Sequence, residues 1–205
     1  MSGPGVRLIL ASGSPRRLEL LSRLGLEIEV AVPDVDEARL AGEAPPLHAA
    51  RVAALKARAV TRQFEGCAVL AADTVVTTGE TSFGKPRDRA DAARMLAELA
   101  GRTHAVLTAV ALQFGGGEAA HLAAASVTMV PYRRNLVDWY VATGEGDDKA
   151  GAYAVQGKGA VLIERVEGNV DAVIGLPLAP IPGLFATVGL TLTRHGDRLV
   201  LRQSP

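Results

Sequence analysis

The sequence predicts an α/β fold built on a mixed sheet. Two observations carry that reading: short apolar runs alternate with helical patterns along the chain, and one glycine-centred pair of β-rich runs must form an antiparallel hairpin. Val6 to Ala11 reads as a buried strand that breaks into "SGSPRR" (residues 12–17). Ser14 followed by Pro15 is a helix start, with a hydroxyl cap and proline at the first helical position, and the helix stops at Gly25. Leu26 to Val30 alternates with period two, as a half-exposed strand does. An acidic loop, "VPDVDEARLAGEAPP", leads into an alanine- and leucine-rich helix from about Leu47 to Phe64.

Ala68 to Asp73 is a short buried strand ending in a carboxylate, which "TVVTTG" extends or pairs with. "DRADAARMLAELAG" is the clearest helix, with Ala92, Met95, Leu96 and Leu99 on one face and Gly101 ending it. His104–Phe114 and the run from about Leu122 to Val130 flank "GGGE" and form the hairpin. "RRNLVDWYVATG" is a further helix, "DDKAGAYAVQGKGA" a glycine-punctuated loop and "AVLIERV" another strand. No repeat, linker or boundary divides the 205 residues, so one domain, 1–205, is expected.

Composition excludes several function classes. Lysine plus arginine and aspartate plus glutamate both number 22, which argues against a general nucleic-acid binder. Any electrostatic function must be local. The lone Cys67 allows no intrachain disulfide and fits a reducing compartment, and the apolar stretch after Arg7 is too short for a signal peptide. Ala172 to Thr193 is uncharged and long enough to span a bilayer, but Pro177, Pro180 and Pro182 would break a helix there. Strand, turn and short helix are expected instead, with no membrane contact.

The first loop is the best anion site. Backbone N–H groups at a helix start favour a phosphate, Ser12 and Ser14 add hydroxyls, Gly13 permits close approach, and Arg16 adds a charged fork. Arginines in a first helical turn oppose the helix dipole unless an anion is present; the alternative is a capped helix with solvated arginines. "GETSFGKP" (79–86) imitates a P-loop, but Pro86 replaces the required Ser or Thr; Lys85 remains a candidate phosphate-facing cation. Asp73, at a strand end, is either a functional carboxylate or a turn residue, and Asp34, Asp36 and Glu37 either act or form a solvated loop. The four histidines show no metal-binding spacing.

Taken in order, "LASGSPRRLELL", "VDE", "LKARAV", "AADTVV", "GKPRD", "GRTHAVLTAV", "DKAGAYAVQGKGA" and "VIGLPL" resemble the Maf family of nucleoside triphosphate pyrophosphatases from about Leu8 to Leu178. The resemblance implies an elongated mixed sheet flanked by helices, with two lobes around a cleft. It implies hydrolysis of a nucleoside triphosphate to monophosphate and pyrophosphate with a divalent cation, magnesium, in a family whose members are cytoplasmic, often homodimers, and named for an association with inhibited septum formation. It makes Asp73 the proton acceptor, with Ser12, Arg16, Lys56 and Lys85 lining the cleft and Glu37 assisting metal or water. Magnesium is expected on Glu37 and Asp73. The dTTP/UTP branch carries Arg, Thr and Gln where this chain has Arg16, Thr74 and Gln156; the 7-methyl-GTP branch carries an aromatic, Gln and Glu. Arg17 matches the motif without an assigned role. A nucleotide-binding regulator without catalysis is the other class of function. Ala71 and Gly146 depart from the family pattern, and the tail after about Gly189 matches nothing.

Overall fold

A computed structural model describes residues 5–79, 81–196 and 198–204, so Glu80 of the P-loop-like stretch lies outside the described residues. A seven-stranded sheet is the backbone of the fold. It comprises β1 (Leu8–Ala11), β2 (Ile28–Val30), β3 (Ala68–Thr77), β4 (Ser82–Phe83), β5 (Thr103–Phe114), β6 (Gly117–Met129) and β7 (Ile163–Gly168). The order is β2-β1-β3-β5-β6-β7, with β4 pairing to β3 off that path. β1 runs parallel to both β2 and β3, whereas β7 is antiparallel to β6, so the sheet is mixed as expected. The β5–β6 turn works because Gly115 and Gly116 both take positive φ, which a two-residue hairpin turn demands.

The helices are α1 (Pro15–Ser22), α2 (Pro45–Thr61), α3 (Arg89–Leu99), α4 (Arg134–Ala142), α5 (Val170–Ile174) and α6 (Ile181–Thr187). The α2 helix starts two residues before its expected position because Pro45 and Pro46 fill the first turn, where no intrahelical N–H bond is needed. Asp88 caps α3 by accepting the Asp91 N–H at 2.8 Å. Ser14 precedes α1, but its hydroxyl makes no capping bond; the Ser12 hydroxyl instead accepts the Ser14 N–H at 3.1 Å. Within "AVLIERV" the first residues form a 3-10 turn, and the strand begins only at Ile163.

The packing divides into two compact units. One takes residues up to 73, then 108–122, then from 175 onward; the other takes 74–107 and 123–174. In the first, Leu8, Ile9 and Leu10 of β1 and Val69 and Leu70 of β3 are fully enclosed, and α2 lies against β1. The uncharged stretch from residue 172 resolves into the end of α5, a turn, α6 and the start of β8 (Leu190–His195). No helix among the described residues is long and apolar enough to cross a membrane. β8 pairs with β9 (Arg198–Gln203) in a separate hairpin, tied to the N-terminal segment by a bridge between Val6 and Leu201. The second unit is built around Val76, Phe83, Met95, Leu96, Leu99, Val127 and Tyr140.

Candidate active site

The α2 helix buries a stripe formed by Ala49, Val52, Ala53, Lys56, Ala57 and Val60. Five of these are apolar and obey the three-to-four spacing of a core-facing helix. Lys56 occupies the same stripe, so its ammonium is carried into the unit rather than out to water, and its side chain is only 7% exposed. A buried ammonium needs opposite charge. Lys56 Nζ donates to Asp73 Oδ1 at 2.8 Å and to Glu37 Oε2 at 2.7 Å.

Asp73 is 10% exposed and does not end its strand. β3 continues to Thr77, so Asp73 is the sixth of ten residues. The Lys56 partner is the physical reason: a paired carboxylate can be enclosed in mid-strand without interrupting the ladder. Glu37, 48% exposed, approaches from the acidic loop. One cation is thereby shared by two carboxylates, one enclosed and one facing solvent.

The Ser12 loop belongs to the same unit. Ser12 is buried at the end of β1 and accepts from Ser14 N–H and, at 3.4 Å, from Arg17 Nη1. Arg17 Nε donates to the Gly175 carbonyl at 2.9 Å. Desolvation lowers the Arg17 guanidinium from its ordinary value, opposed by the charges of Asp73 and Glu37 and reinforced by Arg16. Arg17, left without a role by sequence, therefore sits in the field of the paired carboxylates. Its signal in the sequence was only its place beside Arg16, since two adjacent arginines on a helix point apart and text alone does not tell which turns inward. Arg16 is half-buried in the first turn of α1.

The remaining candidates lie in the second unit. Thr74 follows Asp73 on β3 and is half-buried, whereas Lys85 and Gln156 are exposed. Their two loops are joined by the Gly151 N–H donating to the Gly84 carbonyl at 3.0 Å. So Lys56, Asp73 and Glu37 converge, as do Ser12, Ser14 and Arg17, while Thr74, Lys85 and Gln156 belong to the second unit and share no hydrogen bond or ion pair with one another among the described residues. Among the described residues no cluster of three or more His, Cys, Asp or Glu could hold a metal ion. The two carboxylates on Lys56 are an oxygen-only donor set, which fits a magnesium ion that takes its other ligands from water and substrate phosphates.

A dTTP/UTP pyrophosphatase of Anaeromyxobacter dehalogenans is 49% identical over 190 residues, covering 91% of this chain and 96% of that protein. Proteins of the same name from Symbiobacterium thermophilum and Myxococcus xanthus are 48% and 44% identical, over 84% and 94% of this chain and 89% and 97% of their own. A solved structure of a HAM1 protein from Coxiella burnetii overlaps at a TM-score of 0.47 and 20% identity, over 63% of this chain and 75% of that one. Residues 7–188 match the family described as Maf-like protein. With the family match spanning most of its length, the chain belongs to the Maf-like protein family.

Proposed function

We propose that this chain is a nucleoside triphosphate pyrophosphatase that hydrolyses dTTP and UTP to the monophosphate and pyrophosphate. The buried Lys56 held between Asp73 and Glu37 is the observation that supports catalysis at this site, and the names of the 44–49% identical relatives support the substrate. In the reaction the oxygen of a water bonds to the α-phosphorus. The bond from that phosphorus to the bridging oxygen breaks, and the electron pair leaves with pyrophosphate. Asp73 orients the water and takes its proton. Lys56 has three N–H groups, of which Asp73 and Glu37 take two, and the third is available to a phosphate oxygen. Arg16 and Lys85 add charge for the triphosphate, Ser12 and Ser14 add polar groups at its phosphates, and Thr74 and Gln156 face the nucleoside.

Glu37 and Asp73 would hold magnesium, which supplies charge neutralisation at the phosphates when bound. Gln156 offers both a donor and an acceptor to a pyrimidine edge; a glutamate there would lose the donor. The buried lone thiol of Cys67 supports a reducing compartment such as the cytoplasm.

The test is pyrophosphate release from purified protein with magnesium and a panel of triphosphates. Release from dTTP and UTP ahead of the others is expected. Preference for 7-methyl-GTP would overturn the substrate assignment, and tight binding without pyrophosphate would leave a nucleotide-binding regulator of septum formation.

A further inference from the structure

The chain leaving α4 turns back onto that helix, and two side chains hold it there. The Tyr140 hydroxyl, on a residue only 1% exposed, accepts the Ala154 N–H at 3.0 Å. The Glu145 carboxylate accepts the Lys158 N–H at 2.9 Å and the Gly159 N–H at 2.7 Å. Desolvation would raise the Glu145 carboxyl, but the Lys158 and Gly159 N–H groups, the Tyr140 hydroxyl and the Lys149 charge outweigh it, and the net shift is downward. The acceptor is therefore ionised and strong.

The glycines of "QGKG" show how close the approach is. A Cβ on Gly159 would lie 2.2 Å from the Ala154 carbonyl oxygen and 2.9 Å from the Tyr140 hydroxyl. A Cβ on Gly157, which already has a φ of +65, would lie 2.3 Å from Glu145 Oε1. Gln156 falls between the anchored positions, two residues after Ala154 and two before Lys158. Its side chain is exposed, and among the described residues no protein group hydrogen-bonds to its amide. An amide left open on a backbone pinned on both sides is arranged for a ligand rather than for packing.

We propose that Tyr140 and Glu145 are positioning residues for substrate selection, holding the backbone of residues 154–159 so that the Gln156 amide meets the pyrimidine edge in one orientation. This rests on the reading of Gln156 as the base-recognising residue. Neither side chain touches the reacting atoms; each acts through the loop it anchors.

The experiment compares Tyr140→Phe and Glu145→Gln with wild type in the full chain, measuring kcat and KM for dTTP and for dGTP. Tyr140→Phe deletes one oxygen, and Glu145→Gln keeps one acceptor while turning an amide donor toward the other N–H. For Tyr140→Phe the expected result is a rise of about tenfold in KM for dTTP with kcat nearly unchanged, and a matching fall in the dTTP-to-dGTP ratio of kcat/KM. Glu145→Gln should move the same ratio in the same direction. A lowered thermal midpoint with equal losses on both nucleotides would mean a purely structural role and would overturn the proposal. Gln156→Ala provides the coupling: it should lower the ratio by itself, and Tyr140→Phe added to it should lower the ratio no further. An undiminished effect of Tyr140→Phe in the Gln156→Ala background would also overturn the proposal. If Gln156→Ala alone leaves the ratio unchanged, base recognition by Gln156 fails and the positioning role falls with it. Should wild type turn over neither nucleotide, the proposed activity fails, and calorimetric Kd values for dTTP and dGTP give the same comparison across the same variants.

Discussion

At the scale of single residues, the site is a problem of charge placement. Lys56 lies on an apolar helical stripe, where an unpaired ammonium would be strongly unfavourable, and the Asp73 and Glu37 carboxylates make its burial tolerable. From the sequence that lysine was reached only through the family resemblance carried by "LKARAV". The partner of Asp73 was not legible, because contact across 17 residues depends on how α2 lies against the sheet. The inward turn of Arg17 escaped for a similar reason, since its hydrogen bond to Gly175 spans 158 residues. Asp73→Asn keeps an oxygen for Lys56 but cannot take a proton. Its kcat should fall about 10²- to 10⁴-fold, while its unfolding midpoint stays within a few degrees of wild type because Glu37 still faces the ammonium. A wild-type rate in a single-turnover assay would remove Asp73 from the chemistry.

At the scale of elements, the sequence was most readable where a local pattern decides the outcome. The α3 helix follows from its apolar spacing, its Asp88 cap and Gly101, and the β5–β6 hairpin follows from its glycines. The 154–159 loop was readable only as a glycine-rich segment. Its glycines answer to Tyr140 and Glu145, and a list of turn residues does not name the atoms they must clear. The β8–β9 hairpin was missed because its strands are short and polar on one face, and what steadies it includes a bridge from Val6 at the other end of the chain. Gly159→Ala should destabilise the fold by about 2 kcal/mol, since the clash at 2.2 Å is with backbone that cannot rotate away. In a thermal melt this corresponds to a midpoint lower by roughly 5 °C for a chain of this size. An unchanged midpoint would show that the loop relaxes freely and is not tightly anchored.

At the scale of the whole molecule, the division into two units left no trace in the composition. The chain passes between them at Asp73 and Thr74 within β3, at Leu107 and Thr108 within β5, at Leu122 and Ala123 within β6, and at Ile174 and Gly175 where α5 ends. A passage in the middle of a strand has no proline, glycine or charge run to mark it, so the two units carry no signature of their own in the sequence. Acid should act on the molecule through one buried group before others. His104, 3% exposed, shares a 2.6 Å hydrogen bond between Nε2 and the Tyr153 hydroxyl, while its Nδ1 has no partner among the described residues. Desolvation lowers its imidazole from 6.5 to about 4. The unfolded chain therefore takes up this proton first as pH falls. Stability is whole above about pH 6.5 and declines as pH drops toward 4, by about 3 kcal/mol in total. Glu43, held at about 2 chiefly by its hydrogen bond from Arg51 against an ordinary 4.5, contributes its own loss only as pH falls below 4.5. Urea titrations at pH 4.5 and 7 should differ accordingly, and His104→Asn should flatten the difference; an equal slope in the variant would place the acid sensitivity elsewhere.

The anchored loop also behaves as a local clock. The amides of Ala154, Lys158 and Gly159 are held by side chains rather than by a helix or a strand ladder. Their exchange with heavy water is released only when the Tyr140 and Glu145 contacts open, whereas an unanchored loop would exchange at once. These three hydrogens therefore time the opening around Gln156 in the resting protein, without substrate and without turnover.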